Sequence, residues 1–251
     1  MCDILIKDDM NNKRVLLLTG TSDVLKETHY KDDNRMEEVF DLTFPSKQKY
    51  VQKYGYDLMS MRSFGPDVNN SIFKESEYGF IGFMRVLRAF EMLQYYDYVM
   101  WIDADSIITN YDYSINDFQL EDKYCFYASW DWPHRFSFST GNFIVHKGQY
   151  FNDFLKTFLM VGKHIQDSKI GGWEQTTLNM IYKDTPFREV IKILEHKFLG
   201  AVPDKTLVGH VWDGRPDPVS PWTKDSFIAH LTGMTNKDRI YVLKNSFNDY
   251  L

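Results

Sequence analysis

Short continuous apolar runs alternate along this chain with stretches whose apolar residues return every three or four positions. The runs at 14–18, 56–62, 98–102, 124–129 and 142–146 have the length of buried strands and end in polar or small residues. Residues 81–95 keep helical spacing through Phe83, Val86, Leu87, Phe90, Met92 and Leu93. Ser46 caps a shorter helical stretch, 47–54, which Gly55 stops. Further helices are expected at 150–161, at 173–182 after Gly171-Gly172, and at 237–247, and short strands at 195–199 and 227–229. The polar stretch 26–45 reads as loop and irregular helix, Gly65-Pro66-Asp67 as a break, and 209–221 as a long loop. Strand, helix, strand, helix, strand over the first hundred residues implies an α/β fold with a mostly parallel central sheet and helices on both faces.

The 251 residues show no repeat, low-complexity tract or Gly/Ser linker, so one domain spanning 1–251 is expected. Apolar residues, at 43%, suffice for a sizeable core, while a net charge of −6 argues against nucleic acid or an anionic membrane as partner. Cys2 and Cys125 are too few for a disulfide framework or a zinc site. The polar N-terminal stretch is no signal peptide, and no apolar run approaches the ~20 residues of a membrane span. The expectation is a soluble, cytoplasmic protein. Aromatics, at 16%, serve cores more often than sugar-binding faces.

The candidate chemistry gathers at Tyr98-Val99-Met100-Trp101-Ile102-Asp103-Ala104-Asp105. Here a buried strand runs into two carboxylates one residue apart, at the sheet edge where open α/β folds bind ligands. Burying such a pair is costly without a cation or several donors. Oxygen ligands select Mg²⁺ or Mn²⁺, and an imidazole in the set tilts the choice to Mn²⁺. His230, between an apolar strand and Thr232-Gly233, is the imidazole in view, although a lone histidine is more often structural. Thr19, Gly20 and Thr21 follow the first strand, where a nucleotide could lie or an ordinary turn capped by Asp23 could form. Arg85 and Arg88 sit on the clearest helix; solvation is the commoner fate of such arginines, and Arg85 is the better candidate for a donor contact.

Four blocks of this sequence resemble, in order, those of GT-A-fold glycosyltransferases, most nearly the galactosyl/mannosyl/xylosyltransferase family of fungal Golgi enzymes and plant xyloglucan xylosyltransferases. They are Gly82-Phe83-Met84-Arg85 with the helix leading to Trp101-Ile102-Asp103-Ala104-Asp105, then Ser139-Thr140-Gly141-Asn142-Phe143-Ile144, Trp173-Glu174-Gln175-Thr176-Thr177-Leu178, and Ala229-His230-Leu231-Thr232-Gly233. The resemblance implies a soluble bacterial- or viral-type member that transfers a sugar, with retention, from a nucleotide-diphosphate sugar to a glycan or glycoprotein acceptor. UDP-sugar is favoured over GDP-sugar. Residues 14–110 would form the nucleotide-sugar-binding half, and 111–251 the acceptor half with the C-terminal metal ligand. Asp105 and His230 would ligate Mn²⁺ (or Mg²⁺), and Asp103 would hold the donor ribose and reach the metal. Glu174 and Gln175 would lie against the donor sugar, and Lys237 against the diphosphate. The chain departs from the family pattern with Glu174 for an aspartate, Ser139 for an asparagine and a lysine that arrives slightly late.

Two other readings compete. A haloacid-dehalogenase-like phosphatase also carries Asp-X-Asp after an apolar strand, but on its first strand and with Thr or Val where this chain has Ile107. A non-catalytic carbohydrate-binding protein could use the same fold. Trp130, Asp131, Trp132, His134 and Arg135, and likewise Trp212, Asp213 and Arg215, could shape an acceptor pocket or anchor loops on the core. Asp131 is the loop acid that an inverting mechanism would use as base. Glu174 has a plainer reading as a first-turn acid facing the helix dipole.

Overall fold

The computed structural model describes residues 13–21, 35–61, 80–131, 137–171, 173–204, 207 and 221–251. In chain order the elements are β1 (Val15–Gly20), α1 (Met36–Tyr54), β2 (Asp57–Met61), α2 (Phe80–Met92), β3 (Tyr98–Ile102) and β4 (Ser106–Ile108). There follow β5 (Phe126–Ser129), β6 (Asn142–His146), α3 (Phe151–Asp167), α4 (Trp173–Asp184), β7 (Ile191–Leu194), α5 (His196–Leu199), β8 (Ile228–His230) and α6 (Asn236–Ser246). Among the described residues no helix is long and apolar enough to cross a membrane.

Six strands form the central sheet in the order β2-β1-β3-β6-β5-β7. β1 pairs in parallel with β2 and β3, and β5 with β7; β6 alone runs against its neighbours. The sheet is thus mostly parallel, as the alternation of strands and helices implies. Strand side chains point alternately to its two faces. Leu16, Leu18, Val99 and Trp101 meet α2, α3 and α4 on one side. Val15, Leu17, Met100 and Ile102 meet Tyr50 and Val51 of α1, together with Phe227 and Ile228, on the other. With both faces covered, the continuous apolar runs of β1 and β3 are buried throughout.

Three elements differ from the sequence expectation. α1 begins at Met36, well before the expected start at Lys47, and runs through Pro45, with Ser46 inside it rather than at its cap. The hydrogen bond that proline cannot make falls at Asp41, on the exposed face. The buried stripe of α1 runs from Val39 and Phe40 to Tyr50 and Val51 but is polar in between, at Thr43, Ser46 and Lys47, and this gap interrupts its apolar periodicity. Gly55 does end the helix, in the left-handed conformation at φ 69°. The expected strand at 195–199 is instead the single helical turn α5, because β7 has already supplied the edge strand beside β5. Finally, β4 leaves the main sheet and pairs with β8 in a separate two-stranded antiparallel ladder. That pairing joins the middle of the chain to its end, and no local signal announces it.

Candidate metal and nucleotide-sugar site

The Asp103-Ala104-Asp105 turn lies between β3 and β4, and α1 fixes its backbone from beneath. The Thr43 hydroxyl donates to the Ala104 carbonyl at 2.6 Å, and the Lys47 ammonium donates to the Ser106 carbonyl at 2.7 Å and to Thr43 Oγ1 at 3.0 Å. The Ile108 amide donates to Ser46 Oγ at 3.1 Å. Buried backbone groups need such partners, which explains a buried polar stripe on a helix. Burial lowers the Lys47 pKa to about 7, against the upward pull of Asp105 and Asp103.

Asp103 is gripped from the α2 side. Its amide donates to Asn142 Oδ1 at 3.1 Å, and its carboxylate accepts from Trp101 Nε1 at 2.6 Å. Arg85 Nη1 reaches both oxygens of that carboxylate, at 2.8 and 3.0 Å. The other terminal nitrogen of Arg85 donates to Thr140 Oγ1 at 3.1 Å and pairs closely with Glu174 Oε1. Thr140 in turn donates to Glu174 Oε1 at 2.8 Å. Glu174, in the first turn of α4, is only 3% exposed, and its second oxygen lies against Gly82 of α2, where any Cβ would collide with it. Gly82 is therefore the residue that lets α2 and the carboxylate share this space. Gln175, next in α4, donates from Nε2 to Asp131 Oδ2 at 2.8 Å.

Asp105 is gripped from the C-terminal side. The β4–β8 ladder sets Ser106 opposite His230, and the Leu231 amide donates to the Asp105 carbonyl at 3.0 Å. His230 Nε2 then lies 3.5 Å from Asp105 Oδ1, while Arg239 Nη2 of α6 lies 2.7 Å from Asp105 Oδ2. Arg239 also donates to the Leu231 carbonyl and to Asn236 Oδ1.

These surroundings separate the two carboxylates. Burial raises the Asp103 pKa, and Asp105 adds to that, more than Arg85, His230 and the Trp101 bond bring it down. Burial acts on Asp105 too, yet the charges of Arg239 and His230 carry its pKa well below the ordinary range. Burial opposes charge on His230, but the Asp105 carboxylate raises its pKa overall.

Asp103, Asp105 and His230 each offer a ligand atom, and all of these lie within 4.8 Å of one another. A Cβ on Gly141 would stand 3.0 Å from both Asp103 Oδ2 and His230 Nε2, so its absence keeps the space between them open. Two carboxylates and an imidazole around this space are a donor set that fits a divalent cation.

The other sequence candidates fall as follows. Thr19, Gly20 and Thr21 reach the same sheet edge, because Leu18 pairs with Trp101, but β1 runs through Gly20 instead of turning after Leu18. Thr19 and Thr21 are buried, and the Thr19 hydroxyl has no hydrogen-bond partner among the described residues. Arg88 pairs with Glu91 at 3.0 Å away from the cluster, whereas Arg85 joins it. Lys237 is exposed in the first turn of α6, and the basic residue that α6 sends to the cluster is Arg239. Sequence reasoning missed Arg239, and also Thr43 and Lys47. Thr235 accepting from the Asp238 amide sets the start of α6, and that cap is the signal that fixes which basic side chain turns inward. Asp23, Gly65, Pro66, Asp67, Trp132, His134, Arg135, Trp212, Asp213 and Arg215 lie outside the described residues.

The fold is that of the GT-A glycosyltransferases. The chain superposes on a glycosyltransferase involved in glycosylation of the major capsid of PBCV-1 with a TM-score of 0.59 and 15% identity, over 92% of this chain and 98% of that one. It superposes on the galactosyltransferase LgtC, solved with donor and acceptor sugar analogues, with a TM-score of 0.51 and 11% identity, over 87% of each chain. An active-site glutamine-to-glutamate mutant of LgtC gives a TM-score of 0.53 at 11% identity, again over 87% of each chain. No protein-family model matches the sequence, and no curated protein is significantly similar to it.

Proposed function

We propose that the chain is a metal-dependent glycosyltransferase that moves a sugar from a nucleotide-diphosphate sugar, UDP in preference to GDP, to a glycan or glycoprotein acceptor with retention. The observation that carries this reading is the convergence of Asp103, Asp105 and His230 on one open point at the ligand-binding edge of a GT-A sheet. The neighbours named for glycosyl transfer, one of them solved with donor and acceptor analogues, support it.

Asp103, Asp105 and His230 would hold Mn²⁺ (or Mg²⁺), whose chemistry is Lewis-acid neutralisation of the departing diphosphate. Asp103 also takes the donor ribose, kept in place by Arg85 and Trp101. Thr19, Gly20 and Thr21 flank the nucleotide, and Lys237, exposed in the first turn of α6, lends its charge to the diphosphate. Glu174 anchors Arg85, and Gln175 presents its amide to the donor sugar. An electron-rich oxygen there steadies the positive charge that builds on the anomeric carbon. Asp131, the acid an inverting reaction would use as base, accepts from the Gln175 amide.

A screen of UDP- and GDP-sugars for hydrolysis with Mn²⁺ tests the proposal. One donor should turn over, and Asp105→Ala and His230→Ala should abolish that turnover without altering the circular dichroism spectrum. Failure of every nucleotide sugar to bind or react would refute it. A carbohydrate-binding protein would instead bind sugar with no requirement for nucleotide or metal.

A further inference from the structure

We infer that Asp131 is a positioning residue that decides which end of the Gln175 side-chain amide faces the site. A carboxylate can only accept hydrogen bonds, and a side-chain amide has one donating and one accepting end. Asp131 Oδ2 takes Gln175 Nε2 at 2.8 Å. The opposite end, Gln175 Oε1, is thereby turned to Thr140 Oγ1, 3.5 Å away. Thr140 Oγ1 also accepts from Arg85, which holds Asp103, so the amide oxygen is the end on the side of the Thr140–Arg85–Asp103 chain. The three residues are set by different elements: Asp131 follows β5, Gln175 opens α4, and Thr140 precedes β6. The Asp131 amide donates to the Ser137 carbonyl at 2.9 Å, which fixes the acid's own backbone. Without Asp131 the amide could turn over at little cost and present its electropositive NH₂ group to a centre that becomes positive in the reaction.

The mechanistic half of this inference rests on the proposed role of Gln175 at the donor sugar, whereas the orientation itself does not. Two experiments separate them. In ¹⁵N-labelled protein, the side-chain amide signal that disappears in Gln175→Met should be downfield and slow to exchange with solvent. Asp131→Ala should return it to the position of a free amide. A signal indifferent to Asp131 would overturn the inference. In turnover assays Asp131→Asn should lower kcat roughly 10-fold with KM almost unchanged, because an asparagine accepts either end of the amide. In a Gln175→Glu background the same substitution should raise activity, since it removes a carboxylate that faces a carboxylate. A purely structural role for Asp131 would give losses of the same sign in both backgrounds, and that result would also overturn the inference. An amide signal governed by Asp131 in a protein that turns over no nucleotide sugar would uphold the orientation and refute the proposed function.

Discussion

The two aspartates of the Asp103-Ala104-Asp105 turn stand in contrasting walls of one site. The wall around Asp103 is built from β3, α2, the segment before β6 and the start of α4, and the cation in direct contact with it, Arg85, is shared with Glu174. The wall around Asp105 comes from β8 and α6, and there a single carboxylate has Arg239 and His230 beside it. Charge is therefore scarce around Asp103 and ample around Asp105, and their pKa values move in opposite directions from burial that acts on both in the same sense. Asp105 is anionic by virtue of the protein alone. Asp103 depends on Arg85 and gains from any further positive charge placed between the walls.

The largest effect expected is on turnover. Asp105→Ala or His230→Ala removes the wall that is charged without help, and sugar transfer should fall by roughly 10²–10³ or more in a kinetic assay. Stability should show the reverse bias. Arg85→Met strands Glu174, buried against Gly82, together with Asp103, and should cost about 3–5 kcal/mol in urea denaturation without metal. Arg239→Met, which strands one carboxylate that keeps His230, should cost less. Equal losses from the two substitutions would remove the distinction between the walls.

A methyl group placed between the walls gives a finer test. Gly141→Ala inserts a Cβ beside both Asp103 Oδ2 and His230 Nε2, and Mn²⁺ affinity measured by titration should fall about 10- to 100-fold. The smallest effect is on the pH dependence of stability. The folded pKa of Asp105 is depressed, so its contribution is fully present above the unfolded value of about 3.9 and is lost as pH falls below it. The folded pKa of Asp103 is raised, so its term has the opposite sign: a penalty that develops as pH climbs from about 3.9 through the folded value. In metal-free denaturation curves, Asp105→Asn should flatten the acid side and Asp103→Asn should steepen it.

How much of this could be read from the sequence follows from which forces are local. The strands β1, β3 and β6 and the helices α2 and α4 announce themselves through apolar runs and helical periodicity, and the Asp-X-Asp turn stands at the end of the most apolar of them. The N-terminal half of α1 was hidden because Pro45 reads as a break, and because the inward stripe that starts at Val39 and Phe40 continues through Thr43, Ser46 and Lys47, residues buried to pair with backbone groups of the turn and of β4 rather than to exclude water. The roles of Arg85 and Arg239 were hidden for a related reason. An arginine on a helix looks solvated until the carboxylate it meets is known, and Arg239 meets Asp105 only because β4 pairs with β8 across more than a hundred residues of chain. His230 could be nominated from its position after an apolar strand, but its distance from Asp105 is a product of that same pairing.

On the proposed function, both walls close on one metal-bound nucleotide. Isothermal titration with UDP, in the presence and absence of Mn²⁺, is the decisive measurement. UDP should bind only when Mn²⁺ is present, and Asp105→Ala and His230→Ala should each eliminate this Mn²⁺-dependent binding while the protein stays folded. UDP binding of equal strength without Mn²⁺, or unchanged in both variants, would contradict it.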